Sequence, residues 1–503
     1  MRRRKSAVSD AVSLLLVVLA LLVAGIWRVD IPSRHIALIR PAICVAGGAA
    51  ALGLLMGMRR AIRCQWKAES IFLLLFVPLS LGMMIVLPIW RAPDEPAHLQ
   101  RAWQISIGQW FPDEESGGVF YEPENFLEGV RDAKETRLYH VVTRWNSPMD
   151  MDNLVESDVG ANTGIYPVSN YFPQAMGMAL VRLFTRSRMA IFYGARLAAW
   201  LVTLALFYYA VKRIPVGKNM LIALTLMPMM LQEAVSASAD GMTCAASAAF
   251  AAFVISACMN PERLSWRGTA ELFLLMALIG TLKMMYCPLI LLSLAIPDAC
   301  FGSKKRKYAT LIGMMAVVLG FALLWMLFCN ANYVGAETGR GGAMREQLAQ
   351  MLQYPAGFLA VLGRTVFYRF GSYAEQLIGK DLSWLNLPIP SLIFWALAAA
   401  LCRIAQLDDG LPGGMDAFRR SGMALCGLCA LIIFVGLYIW ETPLGNETVL
   451  GVQGRYFIPL LPVLYATLKR GTGAPKEKAE QTLLAMALID ICALGFAVIQ
   501  TVV

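Results

Sequence analysis

A chain of 503 residues that is 58% hydrophobic and 16% charged, with a mean hydropathy of +0.58, carries more apolar surface than a soluble domain can hide, and reads as a polytopic membrane protein. The formal charge of +10 sits in short Lys/Arg clusters between apolar runs, as in cytoplasmic loops under the positive-inside rule, so no nucleic-acid partner follows from it. The 11 cysteines are scattered and mostly lie in apolar segments; Cys426 and Cys429 have the C-x-x-C spacing without companion ligands, which implies neither a disulfide framework nor a thiolate metal site.

With roughly 20 apolar residues per span, we expect an all-α polytopic membrane bundle of about thirteen helices with long outer loops folded over one face. The basic stretch Met1 to Lys5 and the run Val12 to Trp27 read as an uncleaved first span near 11–28; with a second near 37–58 it forms an additional N-terminal unit, 1–68. Arg59, Arg60, Arg63 and Lys67 mark a cytoplasmic loop. The third span, near 69–90, opens the main membrane domain, 69–470, and exits on the outer side. The polar segment that follows, about 91–188, far exceeds the roughly 15 residues of an ordinary loop and is expected to fold on top of the membrane. It ends in an amphipathic helix, Gln174 to Phe184, placed at the interface.

Spans follow near 190–211, 219–232 and 241–258, with a short outer loop from Gln232 to Asp240. Thr269 to Pro297 is too long for one span and is interrupted by Lys283 and Pro288. With basic clusters on both sides, it reads as a hairpin of two short helices with Lys283 near its outer tip; a single tilted helix would instead reverse everything downstream. A span near 309–328 leads to a second outer segment, about 330–388, with a Gly-rich turn at 335–342 and amphipathic helices from Met344 onward. The last spans lie near 390–404, 421–440, 455–468 and 482–502, the final one forming a C-terminal unit, 471–503. With the basic loops inside and an odd span count, the N-terminus is expected in the cytoplasm and the C-terminus outside.

The chemistry concentrates where the third span ends, in Arg91-Ala-Pro-Asp-Glu-Pro-Ala-His-Leu-Gln-Arg101. Pro93 and Pro96 bracket Asp94 and Glu95, which suits a helix start with Asp94 at the N-cap. On such a helix Asp94, His98 and Arg101 fall on one stripe. Ending a span needs only a snorkelling Lys or a belt Trp, so these groups point to function. Other ionisable residues gather on the same side: Glu233 and Asp240 at the short outer loop, Lys283 at the hairpin tip, and Gln453, Arg455 and Tyr456 at the start of a late span. Asp240 also suits a cap for a helix beginning at Gly241. Carboxylates suit base work or a divalent metal, and Lys283 with Arg455 suits an anionic group such as a lipid phosphate. No His-x-x-x-His or dense acidic loop signals a tight metal site.

These residues resemble a family of bacterial predicted multi-span membrane proteins carrying Pro-Asp-Glu-Pro-Ala-His, which is in turn similar to the GT-C superfamily of integral-membrane glycosyltransferases. Supporting pieces are Tyr166-Pro, Tyr171-Phe-Pro-Gln, Ser236-Ala-Ser-Ala-Asp240, Leu282-Lys-Met-Met-Tyr-Cys-Pro288 and Gly451-Val-Gln-Gly-Arg-Tyr-Phe-Ile-Pro459, in that order. The resemblance implies an enzyme of the bacterial inner membrane that transfers sugar from a polyprenyl-phosphate donor to an envelope glycan, lipid or protein acceptor on the extracytoplasmic face. It implies Asp94 or Glu95 as base or metal-side carboxylate, His98 and Arg101 as supports, and Lys283 and Arg455 on the lipid phosphate; a divalent cation, Mg or Mn, is an optional cofactor. The rivals are a transporter or flippase of a lipid-linked sugar and an inactive partner in a polysaccharide complex.

Overall fold

The computed structural model describes residues 39–111, 120–128, 133–157, 163–164, 166–332, 344–471, 473 and 475–502. The expected first span near 11–28 and the Gly-rich turn at 335–342 lie outside them. Among the described residues the fold is helical, with only two short antiparallel pairs, Phe120–Pro123 with Leu154–Ser157 and Asp381–Leu382 with Leu387–Pro388.

Seven described helices are long and apolar enough to cross a membrane: Pro41–Arg63, Ala68–Val86, Arg188–Arg213, Asp240–Met259, Lys304–Cys329, Asp416–Trp440 and Lys476–Val502. A shorter apolar helix, Ser391–Leu407, accompanies them. The count differs from about thirteen partly because prolines break expected spans. The one expected at 219–232 is two helices, Lys218–Leu226 and Pro228–Val235, and the one at 455–468 opens as a 3-10 segment, Gly454–Leu460, before Leu461–Leu468. Proline lacks the N–H that would continue the ladder, and such breaks persist where protein rather than lipid surrounds them. Every side chain of Pro228–Val235 is buried accordingly.

The stretch 269–297 is a hairpin. The Trp266–Leu282 helix is followed by Lys283 in an extended conformation and then by a 3-10 segment, Met284–Ala295. Its two ends meet, because the Leu264 N–H donates to the Cys300 carbonyl at 2.8 Å; a single tilted helix is thereby excluded. Twelve residues at a 3-10 rise of about 2.0 Å span nearly the same height as seventeen at an α-helical rise of about 1.5 Å, so both arms reach the level of Lys283.

Above this frame lies a small second core. The Glu95–Ser106 helix packs on the Phe172–Arg182 helix, and Trp90, Trp103, Phe126 and Phe192 interlock at interplanar angles of 58–64°, with ring centroids 4.9–6.0 Å apart. Phe172–Arg182 rests on Arg188–Arg213 where Gly177 meets the backbone of Gly194, an approach a Cβ would prevent. Its outer face exposes Phe172, Met176 and Leu180 at four-residue spacing, as expected of an interfacial helix. Pro355–Ile378, in the segment expected on the outer side, exposes Leu359, Phe367, Tyr368 and Phe370. The C-terminal helix Lys476–Val502 packs against Ile39–Arg63, Ala68–Val86 and Ser391–Leu407, which makes it part of the bundle.

Candidate functional site

Asp94 sits at the N-cap of the Glu95–Ser106 helix with φ 58° and ψ 8°, and its carboxylate makes no capping bond. Trp90 (φ 76°) precedes it, also in the left-handed region. Of five non-glycine residues with positive φ among those described, four meet here: Trp90, Asp94, and Ser383 and Leu385 of the small Asp381–Pro388 hairpin. That hairpin clamps the turn, Ser383 Oγ donating to the Arg91 carbonyl at 2.8 Å and Trp384 Nε1 to the Trp90 carbonyl at 3.2 Å. Such conformations cost on the order of 1–3 kcal/mol each and persist where the surroundings over-determine them, typically at functional sites.

The two adjacent carboxylates separate sharply. Glu95 is fully buried and its lone pairs are committed: Arg196 donates Nε to Oε1 at 2.7 Å and a terminal nitrogen to Oε2 at 2.6 Å, while the N–H groups of Trp90 and Ala237 donate at 2.7 and 3.1 Å. Asp94 is 39% exposed and faces a cavity. Arg101 is also directed elsewhere. Its guanidinium donates to the Trp110 carbonyl at 2.9 Å and lies 4.6 Å over the Phe120 ring, bracing the outer layer. The expected stripe of Asp94, His98 and Arg101 therefore does not form, because the left-handed turn takes Asp94 off the helix and Arg101 points into the outer core. Neither Glu95 nor Arg101 reaches the cavity.

The cavity, of about 290 Å³, is lined by Asp94, His98, Asp240, Lys283, Gln453, Arg455 and Tyr456, which come from four separate parts of the chain. Arg455 is 3.6 Å from Asp94, 3.5 Å from Asp240 and 3.4 Å from Glu233, the last buried behind it in Pro228–Val235. Its Nε donates to Gln453 Oε1 at 2.8 Å. Lys283 pairs with Asp240, the first residue of Asp240–Met259, so Asp240 turns toward the cations instead of capping. Both cations lie against the Tyr456 ring, at 5.3 and 5.7 Å. Arg455 is thus confined by three carboxylates at distances longer than a charge-assisted hydrogen bond, in contrast to the tight Glu95–Arg196 pair.

Further groups emerge that we did not single out as site residues. Trp384, Trp440 and Tyr166 line the cavity, giving it an aromatic wall. His98 Nδ1 lies 2.8 Å from the hydroxyl of Tyr171, whose phenol burial holds well above its usual range. Tyr166 and Tyr171 were legible as motif pieces; Arg196 had one signal, an arginine inside an apolar run. Trp384 had none. Among the described residues no three His, Cys, Asp or Glu side chains are arranged to hold a metal ion, so the site does not fit a tight protein-only metal centre, and with Glu95 occupied only Asp94 of that pair faces the cavity.

Burial pushes the His98 imidazole down from 6.5 to about 4, against the opposing pull of Asp240 and Asp94 and with Lys283 and Arg455 adding to the fall. A histidine that resists protonation when folded contributes stability above about 6.5 that is lost as the pH falls toward 4. Melting temperature is expected to drop across that window, and less so in His98→Gln; identical profiles would remove His98 from the account.

Gly454 sets the position of Arg455. An added Cβ would strike the Tyr373 carbonyl oxygen and lie 2.6 Å from the Leu377 amide nitrogen of Pro355–Ile378. Gly454→Ala is expected to cost about 1–3 kcal/mol of stability by overpacking and to weaken binding of any anion held by Arg455; thermal melting and ligand titration in detergent check the two effects separately.

The family model described as Predicted membrane protein (DUF2142) matches residues 76–464, a stretch that contains every residue of the cavity. No curated protein and no solved structure matches the chain. The match covers most of the sequence, from within the Ala68–Val86 helix to the late 3-10 and helical pair, and on that ground the chain belongs to the DUF2142 family of predicted membrane proteins.

Proposed function

We propose that this protein is a membrane glycosyltransferase of GT-C type that transfers a sugar from a polyprenyl-phosphate donor to an envelope glycan, lipid or protein acceptor, at the extracytoplasmic face of the bacterial inner membrane. The observation that carries the reading is the pairing of a half-exposed carboxylate, Asp94, with two loosely or jointly held cations, Arg455 and Lys283, across one cavity walled by Trp384, Trp440, Tyr166 and Tyr456. Asp94 takes the proton of the acceptor hydroxyl as its oxygen bonds to the anomeric carbon; the bond from that carbon to the phosphate oxygen breaks, and the phosphate leaves with its electron pair. Arg455 closes on the departing phosphate and Lys283 adds a point charge, stabilising charge that grows as the bond breaks. Tryptophan and tyrosine faces suit the apolar side of a pyranose, and Gln453 offers a donor and an acceptor to its hydroxyls.

A transporter of the same lipid-linked sugar would need a path through the bundle. Below the cavity Met242, Ala246 and Leu282 form a buried apolar layer, which favours the enzyme. The deciding experiment gives the purified protein in detergent a mixture of polyprenyl-phosphate sugars and lipid-linked acceptors, with and without Mg or Mn. A new glycoside made by the wild type supports the proposal. Donor binding without product, across a broad acceptor panel, shifts the reading to transport or assembly.

A further inference from the structure

A second cleft, of about 320 Å³, lies beside the cavity between the helices Met344–Gln353 and Pro355–Ile378 on one side and the end of Asp416–Trp440 on the other. Its floor is apolar and aromatic: Phe358 and Val361 are each 8% exposed and Tyr438 5%, with the Phe358 and Tyr438 rings 5.0 Å apart. Its rim is polar and mixed in kind, formed by Gln350, Tyr354, Arg364, Asn446 and Glu447.

From this lining we infer that the cleft is a carbohydrate subsite that holds the body of a neutral oligosaccharide acceptor while its end enters the catalytic cavity; the inference rests on the glycosyltransferase reading for the second half of that statement only. A lipid tail would call for an apolar rim, and a phosphate for an excess of cations. One guanidinium, one carboxylate, two amides and a phenol over an aromatic floor match a chain of hydroxyls, each of which donates and accepts.

The two openings share a wall. Leu437, Trp440 and Glu441 line the cavity while Tyr438, on the same turn, lines the cleft, so about one helix diameter, roughly 10 Å, separates them. The loop that follows continues the partition, with Asn446 and Glu447 on the cleft side and Gly451 and Gln453 on the cavity side. The Val449 N–H donates to Thr365 Oγ1 at 2.8 Å, tying the loop to Pro355–Ile378. A chain lying in the cleft and crossing this loop would arrive in front of Asp94.

The test uses the whole protein in detergent with two ladders of neutral oligosaccharides, β-linked N-acetylglucosamine and α-linked glucose. Calorimetric binding to at least one ladder is expected to strengthen with chain length, and Tyr354→Ala and Gln350→Ala each to weaken the longest member roughly tenfold without moving Tm, the loss expected from one well-placed polar contact. Binding that ignores length, or that both substitutions leave unchanged, overturns the subsite. Transfer is read separately: KM for a long acceptor should rise in Tyr354→Ala while kcat and the KM for a monosaccharide acceptor hold. No transfer by the wild type, with length-dependent binding present, sinks the glycosyltransferase reading and keeps the carbohydrate cleft; transfer whose length dependence survives both substitutions sinks the cleft alone.

Discussion

Asp94→Asn is expected to leave the melting temperature unchanged and to reduce sugar transfer by roughly 10²- to 10⁴-fold, the contribution of a positioned general base. The substitution suits the site for a conformational reason. Asp94 occupies the left-handed region, which Asn tolerates as well as Asp, whereas Ala there would add backbone strain to the loss of the carboxylate. Stability has little to lose, since Asp94 makes no capping bond and its contact with Arg455 is 3.6 Å long and part-exposed. Donor affinity should hold or rise, because removing one of three carboxylates around Arg455 strengthens its attraction for phosphate. Turnover equal to wild type would move the base to Asp240 or Glu441, the other carboxylates that line the cavity, and weakened donor binding would show that Asp94 holds the donor instead. Arg455→Ala should raise the KM for the donor and lower kcat together, because the guanidinium holds the donor phosphate and meets the charge that grows on it.

The bundle and the cavity were legible in the sequence to different depths. The positions of the seven long apolar helices followed from hydropathy, and the hairpin at Lys283 followed from the basic clusters on both sides of a stretch too long to cross once. Its second arm did not: a 3-10 segment has no hydrophobic period distinct from a buried helix, so Met284–Ala295 reads as generic apolar sequence. The collection of Glu233, Asp240, Lys283, Gln453 and Arg455 near Asp94 was inferred from the cost of charge at a membrane edge, which needs no knowledge of contacts. The division of labour between Asp94 and Glu95 was invisible, since the two are neighbours and only the left-handed turn at Asp94 sends them to opposite sides. Trp384 joins the site from almost three hundred residues downstream through a two-strand hairpin whose strands are two residues each, too short to leave a pattern.

Glu95→Gln and Arg196→Met are each expected to destabilise the protein by about 3–5 kcal/mol, because either change leaves the partner charge buried and uncompensated. An isolated buried pair can often be replaced by apolar residues at no net loss, and a reversed pair can sometimes restore it. Neither rescue should work here. Arg196 also donates to the carbonyls of Leu87 and Pro88, at 2.6 and 3.0 Å, and Glu95 also accepts from the amides of Trp90 and Ala237. The pair therefore satisfies four backbone groups in two turns, one leaving the Ala68–Val86 helix and one leading into Asp240–Met259. A Glu95→Leu/Arg196→Met double variant strands all four, at about 1–3 kcal/mol for each that water cannot reach, and a Glu95→Arg/Arg196→Glu swap points cations at N–H donors and a carboxylate at carbonyls. Both doubles should melt in detergent well below wild type; a swap that melts at the wild-type temperature would reduce the pair to a simple ion pair. The same bonds carry a consequence for chemistry. By joining the Trp90 turn to Ala237, Glu95 fixes the backbone that presents Asp94 relative to the loop that presents Asp240, so loosening it should lower transfer even at temperatures where the variants remain folded.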